Sequence, residues 1–358
     1  MKFQSFLTGS VSCRKLVLLF VIGSAACFVT WLYANQVPVP RSFRGFERTD
    51  IAIVINSEDA LSVAVGEYYA RARRIPSGNV IKVAFAVGSS EMTPEEFLRV
   101  KAEVDSLVPQ SVQAYALAWT APYRVGCMSM TSAFAFGYDQ SYCAKNCAAT
   151  HLSSYFNSSS RIPASELGLR PAMMLAGRSF TDIKQTIDRG IASDGSFPRG
   201  AAYLLMTSDR ARSSRSPLYP LVESVAAGLI DIHVVHKDKL VDKNDVLFYF
   251  TGIQRVSGLE TLHFLPGAIA DHLTSFGGML TDSGQMSALN WLEAGATASY
   301  GTVVEPCNFP QKFPHPAIVI GRYVRGETLI EAYWKSVAWP GQGVFIGEPL
   351  AAPYRQRR

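Results

Sequence analysis

From residue 51 to residue 119 the chain alternates short apolar runs with amphipathic helical stripes, and no other feature constrains its fold as tightly. Ile51 to Asn56 (IAIVIN) is continuous, apolar and rich in β-branched side chains. That is the pattern of a strand buried on both faces of a parallel sheet. Ser57 then stands where a helix cap belongs, with Glu58 and Asp59 in the positively polarised first turn. Leu61, Val65, Tyr68 and Ala72 share one helical face, Arg71, Arg73 and Arg74 suit its negative end, and Pro76 stops it. Asn79 to Phe85 supplies a second strand, closing a βαβ unit whose crossover is expected to be right-handed. Thr93-Pro94-Glu95-Glu96 opens another helix as a capping box, and Ala114 to Trp119 is the third strand.

The alternation continues downstream. Strands are expected at 202–206, 230–235, 246–251 and 297–304, with helices near 181–193, 216–228, 284–294 and 327–337. The class is therefore α/β: a doubly wound, mostly parallel sheet, caspase-like or flavodoxin-like, with helices on both faces. One domain over residues 48–354 accounts for the pattern, and no internal sequence repeat is evident. Residues 123–163 carry neither period and hold three Cys, which predicts a loop-rich insertion after the third strand. Pro266 to Ser275 (PGAIADHLTS) reads as the start of a helix.

Leu16 to Ala34 is an apolar run of 19 residues preceded by Arg14 and Lys15, with Trp31 and Tyr33 at its far end. A helix of about 20 residues crosses the hydrocarbon core. The basic flank predicts an anchor with residues 1–15 cytoplasmic and the body in the periplasm of a bacterial inner membrane. The alternative is a cleaved signal peptide that releases the body into the periplasm. Ser24-Ala25-Ala26-Cys27 approaches a lipoprotein cleavage site, but Ser24 replaces the expected aliphatic residue. Residues 35–47 read as a linker. Lys2, Arg14 and Lys15 supply three units of the net charge of +5, leaving a nearly balanced body. Such a body lacks the basic footprint of a nucleic-acid binder.

The chain lacks G-x-G-x-x-G after a strand, G-x-x-x-x-G-K-[ST], G-x-S-x-G and H-E-x-x-H. Dinucleotide, P-loop, α/β-hydrolase and zincin chemistry lose support accordingly. Cys143, Cys147 and His151 are four residues apart, so on a helix they would share a face. With Cys127 they form a candidate zinc set. In an oxidising compartment the same cysteines suit a disulfide instead, and no cofactor is otherwise expected. Cys307, at the end of a predicted strand, is a candidate nucleophile, with His272 or His315 as base and Glu305 or Asp271 to orient the imidazole. The competing reading is that Cys307 is paired with Cys127 or buried. Ligands of doubly wound sheets sit beyond the carboxyl ends of the strands. Asn56 and Asp59, Thr251, and Arg210 are the candidate binding residues on that ground. His233 and His236 are read as bracketing a strand end.

The body resembles a family of bacterial exported or membrane-anchored proteins. The resemblance rests on Glu67-Tyr68-Tyr69 through Arg74-Ile75-Pro76, Gly267 through Phe276, Gly295-Ala296-Thr297 through Glu305-Pro306, and Gly347-Glu348-Pro349-Leu350. It implies a lineage and carries no activity. The order of the later segments is distantly similar to gingipain-type cysteine peptidases of caspase-like fold. There one strand ends in His-Gly, the next ends in the catalytic Cys, and a Gly-Asp-Pro closes the domain. Here Phe250-Thr251-Gly252 puts Thr251 where the His is expected, no Cys lies between Gly252 and Cys307, and Gly347-Glu348-Pro349 differs by one acid. The resemblance thus implies the fold without the dyad. The expectation is a pseudo-peptidase-like domain that binds a peptide, a glycan or an envelope protein. A Cys307 hydrolase and a metal- or redox-linked protein are the alternatives.

Overall fold

The computed structural model describes residues 45–144 and 147–356. The apolar run at 16–34, and with it the anchor or signal reading, lies outside these residues. Among the described residues no helix is long and apolar enough to cross a membrane.

The strands are β1 (Ile51–Asn56), β2 (Val80–Val83), β3 (Glu91–Met92), β4 (Ala114–Leu117), β5 (Arg124–Val125), β6 (Met128–Ser129) and β7 (Ala172–Met174). They continue with β8 (Ala201–Met206), β9 (Asp231–His236), β10 (Lys243–Thr251), β11 (Leu262–His272), β12 (Ala298–Thr302) and β13 (Gly343–Gly347). Ten of them form one sheet in the order β2-β1-β4-β7-β13-β12-β11-β10-β8-β9. Every neighbouring pair is parallel except β12 with β13.

That single antiparallel joint divides the sheet into two halves of opposite strand direction. Numbered along the chain, β1, β2, β4, β7 and β13 lie in the order 2-1-3-4-5. So do β8, β9, β10, β11 and β12. The second half is inserted between the fourth and fifth strands of the first. The repeat is one of topology, which a scan for self-similar sequence does not detect. Within residues 123–163, β5 and β6 join β3, from before the third strand of the first half, in a small three-stranded sheet, and a short helix over Met130–Phe136 follows.

Helices cover both faces. Side chains alternate along a strand, so Ile51, Ile53 and Ile55 enter one core and Ala52 and Val54 the other. Helix α1 (Ala60–Arg73) packs Val65 and Tyr69 into the first core. Its cap is Asp59, which accepts from the Leu61 N–H at 2.9 Å, and not Ser57. Helix α2 (Pro94–Leu107) starts at Thr93 as its sequence dictates and sends Phe97, Val100 and Val104 into the second core. Helix α3 (Met130–Phe136) joins α2 on that face. Helix α4 (Phe180–Ser193) carries the chain from the first half to the second across the first face, burying Ile183 and Ile187. Helices α5 (Pro220–Ala226), α7 (Pro316–Tyr323) and α8 (Leu329–Trp334) pack on the same face, while α6 (Leu289–Glu293) sends Leu289 and Leu292 to the opposite one.

The helix expected from Pro266 is instead the middle of β11, the longest strand of the sheet. Between Val246↔Phe264 and Phe248↔Ile269, β10 advances two residues and β11 five. The excess is absorbed as an irregularity around Pro266 and Gly267, whose φ of +90° suits glycine. The packed body also begins earlier than residue 48. Phe46 is buried, and its N–H donates to Glu331 Oε2 at 2.8 Å.

Candidate functional site

In a sheet of order 2-1-3-4-5 the ligand crevice lies at the carboxyl ends of strands 1 and 3, where the winding direction reverses. Two such points exist here, and the opposed halves put them on opposite edges of the sheet.

The first, at β1 and β4, is closed by its own polar groups. Asn56 is buried, its Nδ2 donating to Phe85 O at 3.0 Å and its Oδ1 accepting from the Phe85 and Glu58 N–H groups. Asp59 is spent on capping α1. Thr120 Oγ1 donates to Gly177 O at 2.7 Å and accepts from the Gly177 N–H at 3.0 Å, linking the ends of β4 and β7. Asn56 and Asp59 are thus brought together with each other and not with Thr251 or Arg210.

The second, at β8 and β10, opens into a crevice of about 370 Å³. Its lining combines Ala211 and Arg212 after β8, Leu273 to Ser275 after β11, and Glu305, Cys307 and Asn308 after β12, with Cys147 from the insertion. Close approach of backbones shapes its base. A Cβ on Gly252 would lie 2.0 Å from Arg212 O, so only glycine admits the β8 loop there. Thr207 Oγ1 fastens that loop by donating to Gly252 O at 2.5 Å. Arg212 donates from Nε to Thr274 Oγ1 at 3.2 Å and pairs through Nη1 with Asp209 at 2.8 Å, which leaves Nη2 for the crevice. Arg210 is exposed on the same loop. Glu305 is exposed and takes the Cys307 N–H on Oε1 at 2.7 Å.

The four cysteines among the described residues are paired. Cys127 is bonded to Cys143 and Cys147 to Cys307, with Cα separations of 5.5 and 5.6 Å. The second bond pins the insertion to the crevice wall. A disulfide sulfur is neither a thiolate nucleophile nor a zinc ligand. His151 is exposed, with Nδ1 3.1 Å from Ser141 Oγ. Among the described residues no group of three or more His, Cys, Asp or Glu side chains is placed to hold a metal.

Beneath the crevice lies a polar core. Asp271 and His272 end β11 side by side, both buried. Arg215, from the loop after β8, reaches Asp271 Oδ1 at 2.5 Å and donates to Thr251 O and Pro314 O at 3.1 and 3.2 Å. Its guanidinium lies over the rings of Phe250 and Phe313. Burial pulls Arg215 down, and the Asp271 carboxylate more than offsets that, holding it above its ordinary value. His272 accepts the Trp291 indole N–H on Nδ1 at 2.9 Å. Burial drives its pKa down to about 3, so it is neutral at physiological pH. His315 is half-buried, and burial, with Arg215 adding to it, also lowers its pKa. Thr251 is buried, and among the described residues its Oγ1 has no hydrogen-bond partner.

Sequence reasoning missed Arg215 and Lys312. Lys312 is buried, its Nζ lacks a hydrogen-bond partner among the described residues, and it lies 5.4 Å from the Phe309 ring centroid. Burial lowers its pKa to about 8 against the opposing pull of Glu305. Neither residue belongs to a motif. The only sequence signal was a basic side chain inside a stretch that packs against apolar strands.

No family model matches the chain, and neither does any curated protein or solved structure.

Proposed function

We propose that the chain is a non-catalytic binding domain of the bacterial cell envelope, held outside the cytoplasm, and that it binds a peptide segment in the crevice beyond the ends of β8, β11 and β12. The observation that carries this reading is the state of Cys307. It lines the crevice as half of a disulfide, while the adjacent strand ends present Thr251 and Asp271-His272 in buried positions. A hydrolase would need a thiolate and a base within reach of one another. The strand order in both halves is that of flavodoxin-type sheets, which supports a ligand at this edge. The resemblance to gingipain-type peptidases fits the same picture as a fold kept without its dyad. Arg212 and Glu305 set opposite charges across a lining that also includes Ala211 and Leu273, a mixture suited to peptide backbone and side chains. Two disulfides accord with an oxidising compartment.

The test has two parts on full-length protein. Alkylation without reductant, followed by peptide mapping, should leave Cys127, Cys143, Cys147 and Cys307 unmodified. Random peptides selected by display against the protein should lose binding to Arg212→Glu and to Ser275→Trp, which reverses the charge and fills the space. Alkylated Cys307 together with peptide cleavage would establish the hydrolase instead. Selected peptides that bind both variants undiminished would remove the crevice as the site.

A further inference from the structure

The sheet ends on one side in β9, and among the described residues no strand pairs with that edge. β9 has six residues, contains neither Pro nor Lys, and is exposed or half-exposed along its whole length. The opposite edge, β2, has four residues, and its Lys82 pairs with Glu67 at 3.6 Å. A long uncovered edge is a template for another strand, and proteins usually shorten, charge or cover it. On its inner side β9 pairs with β8 in unbroken register from Ala201↔Asp231 to Met206↔His236. The Asp231 N–H points inward, to Gly200 O at 3.3 Å. Backbone groups alternate in direction along a strand. Asp231, His233 and Val235 are therefore spent on β8, while Ile232, Val234 and His236 turn their N–H and C=O groups outward. Val234, central in the outward set, is 42% exposed.

We propose that β9 is a homodimer interface, two copies pairing antiparallel about a twofold axis at Val234. Backbone direction and charge together fix the register. Hydrogen-bonded pairs must unite outward-facing residues, so Val234 meets Val234 and Ile232 meets His236. The flanking pair is then Asp231 with Lys237, made twice by symmetry. Among the described residues neither forms an ion pair within its own chain. Centring the axis on His233 sets that imidazole against its copy and leaves Asp231 facing Val235. Centring it on Val235 sets His233 against Lys237. Only the Val234 register joins the strand over its whole length and pairs opposite charges at both ends.

Light scattering on full-length protein in detergent, at tens of micromolar, should give a dimer. Val234→Pro removes one outward N–H and no bond to β8, so it should yield a monomer with an unchanged melting temperature. Asp231→Lys should weaken association by on the order of tenfold, and the exchange Asp231→Lys/Lys237→Asp should restore it, which a folding defect would not do. An Asp231→Cys/Lys237→Cys variant should form a covalent dimer whose linked peptides join 231 to 237. A wild-type monomer overturns the proposal. So does a dimer that survives both Val234→Pro and Asp231→Lys, or a charge exchange that fails to restore association.

Discussion

Replacing Arg215 tests the polar core directly. The guanidinium sits 2.5 Å from Asp271 Oδ1, donates to two backbone carbonyls and lies over two aromatic rings, with both charged side chains 1% exposed. Arg215→Met leaves a carboxylate buried without its counter-charge, which costs about 3–5 kcal/mol. Two carbonyls that lose their donor add about 1 kcal/mol each. The unfolding entropy, at about 2.1 cal/mol/K per residue over roughly 310 residues, is near 0.65 kcal/mol/K. A loss of about 5–7 kcal/mol then lowers the melting temperature by roughly 8–11 °C. Asp271→Leu alone strands the guanidinium and should cost a similar amount. The double variant Arg215→Met/Asp271→Leu removes both charges and keeps the volume, so it should recover to within about 2 kcal/mol of the parent. Urea midpoints of the four proteins give the coupling. Single variants that each lose less than about 1 kcal/mol, or a double variant whose loss is the sum of the two, would refute the reasoning.

Three further outcomes follow from the same geometry. Glu348→Ala should destabilise by about 3–5 kcal/mol, read as a shifted urea midpoint, because Arg73 loses a two-pronged partner and Tyr69 its acceptor; an unchanged midpoint would show that Asp194 alone satisfies Arg73. His272 is buried neutral with a pKa of about 3, against about 6.5 when unfolded. The unfolded chain takes up this proton first, so stability should fall as pH drops from about 6.5 to about 3, by up to about 4–5 kcal/mol. His272→Asn, which keeps an acceptor for Trp291, should flatten that slope in pH-dependent melts, and an unchanged slope would assign it to other groups. Cys147→Ser opens a loop spanning 160 residues and Cys127→Ser one spanning 16. On chain entropy the first should cost about 5 and the second about 3 kcal/mol, so an inverted order of denaturation midpoints would argue against that account.

The sequence was most legible where local chemistry and tertiary packing agree. β1, α1, β2, α2 and β4 lie close to where the apolar runs, the helical stripes and the Thr93 cap put them. β11 was illegible for a physical reason. Its core stretch from Gly267 to His272 is buried on both faces, so no period of two survives. Pro266-Gly267 then imitates a helix start, although the break serves to absorb the register change against β10. β7 and β13 escaped because three and five residues between loops carry too little pattern. The cysteines were legible as a group and not in their pairing. The partner of Cys147 lies 160 residues away, and loop geometry alone brings them together. Arg215 gave no signal because its partner, Asp271, stood in the misread segment.

Two segments far apart in the sequence, Glu67–Pro76 and Gly347–Leu350, meet in the molecule away from the crevice. Tyr69 and Arg73 of α1 meet Glu348, which follows β13, with Tyr69 Oη donating to Glu348 Oε1 at 2.7 Å and Arg73 Nη2 to Oε2 at 2.5 Å. Arg73 also pairs with Asp194 just beyond α4, and Asp194 Oδ1 accepts from the Ala352 N–H at 3.0 Å. These bonds tie the first helix of one half to the helix that enters the other and to the strand that joins them. β13 is parallel to β7 and antiparallel to β12, so it can be placed only when both halves are present. Glu348 then locks that placement from a fully buried position. Gly347, whose φ is +135° and where a Cβ would lie 2.4 Å from Thr297 O, and Glu348 are thus both bound to the nested topology. None of these bonds involves a residue that lines the crevice, so the joint and the crevice are separate parts of the fold.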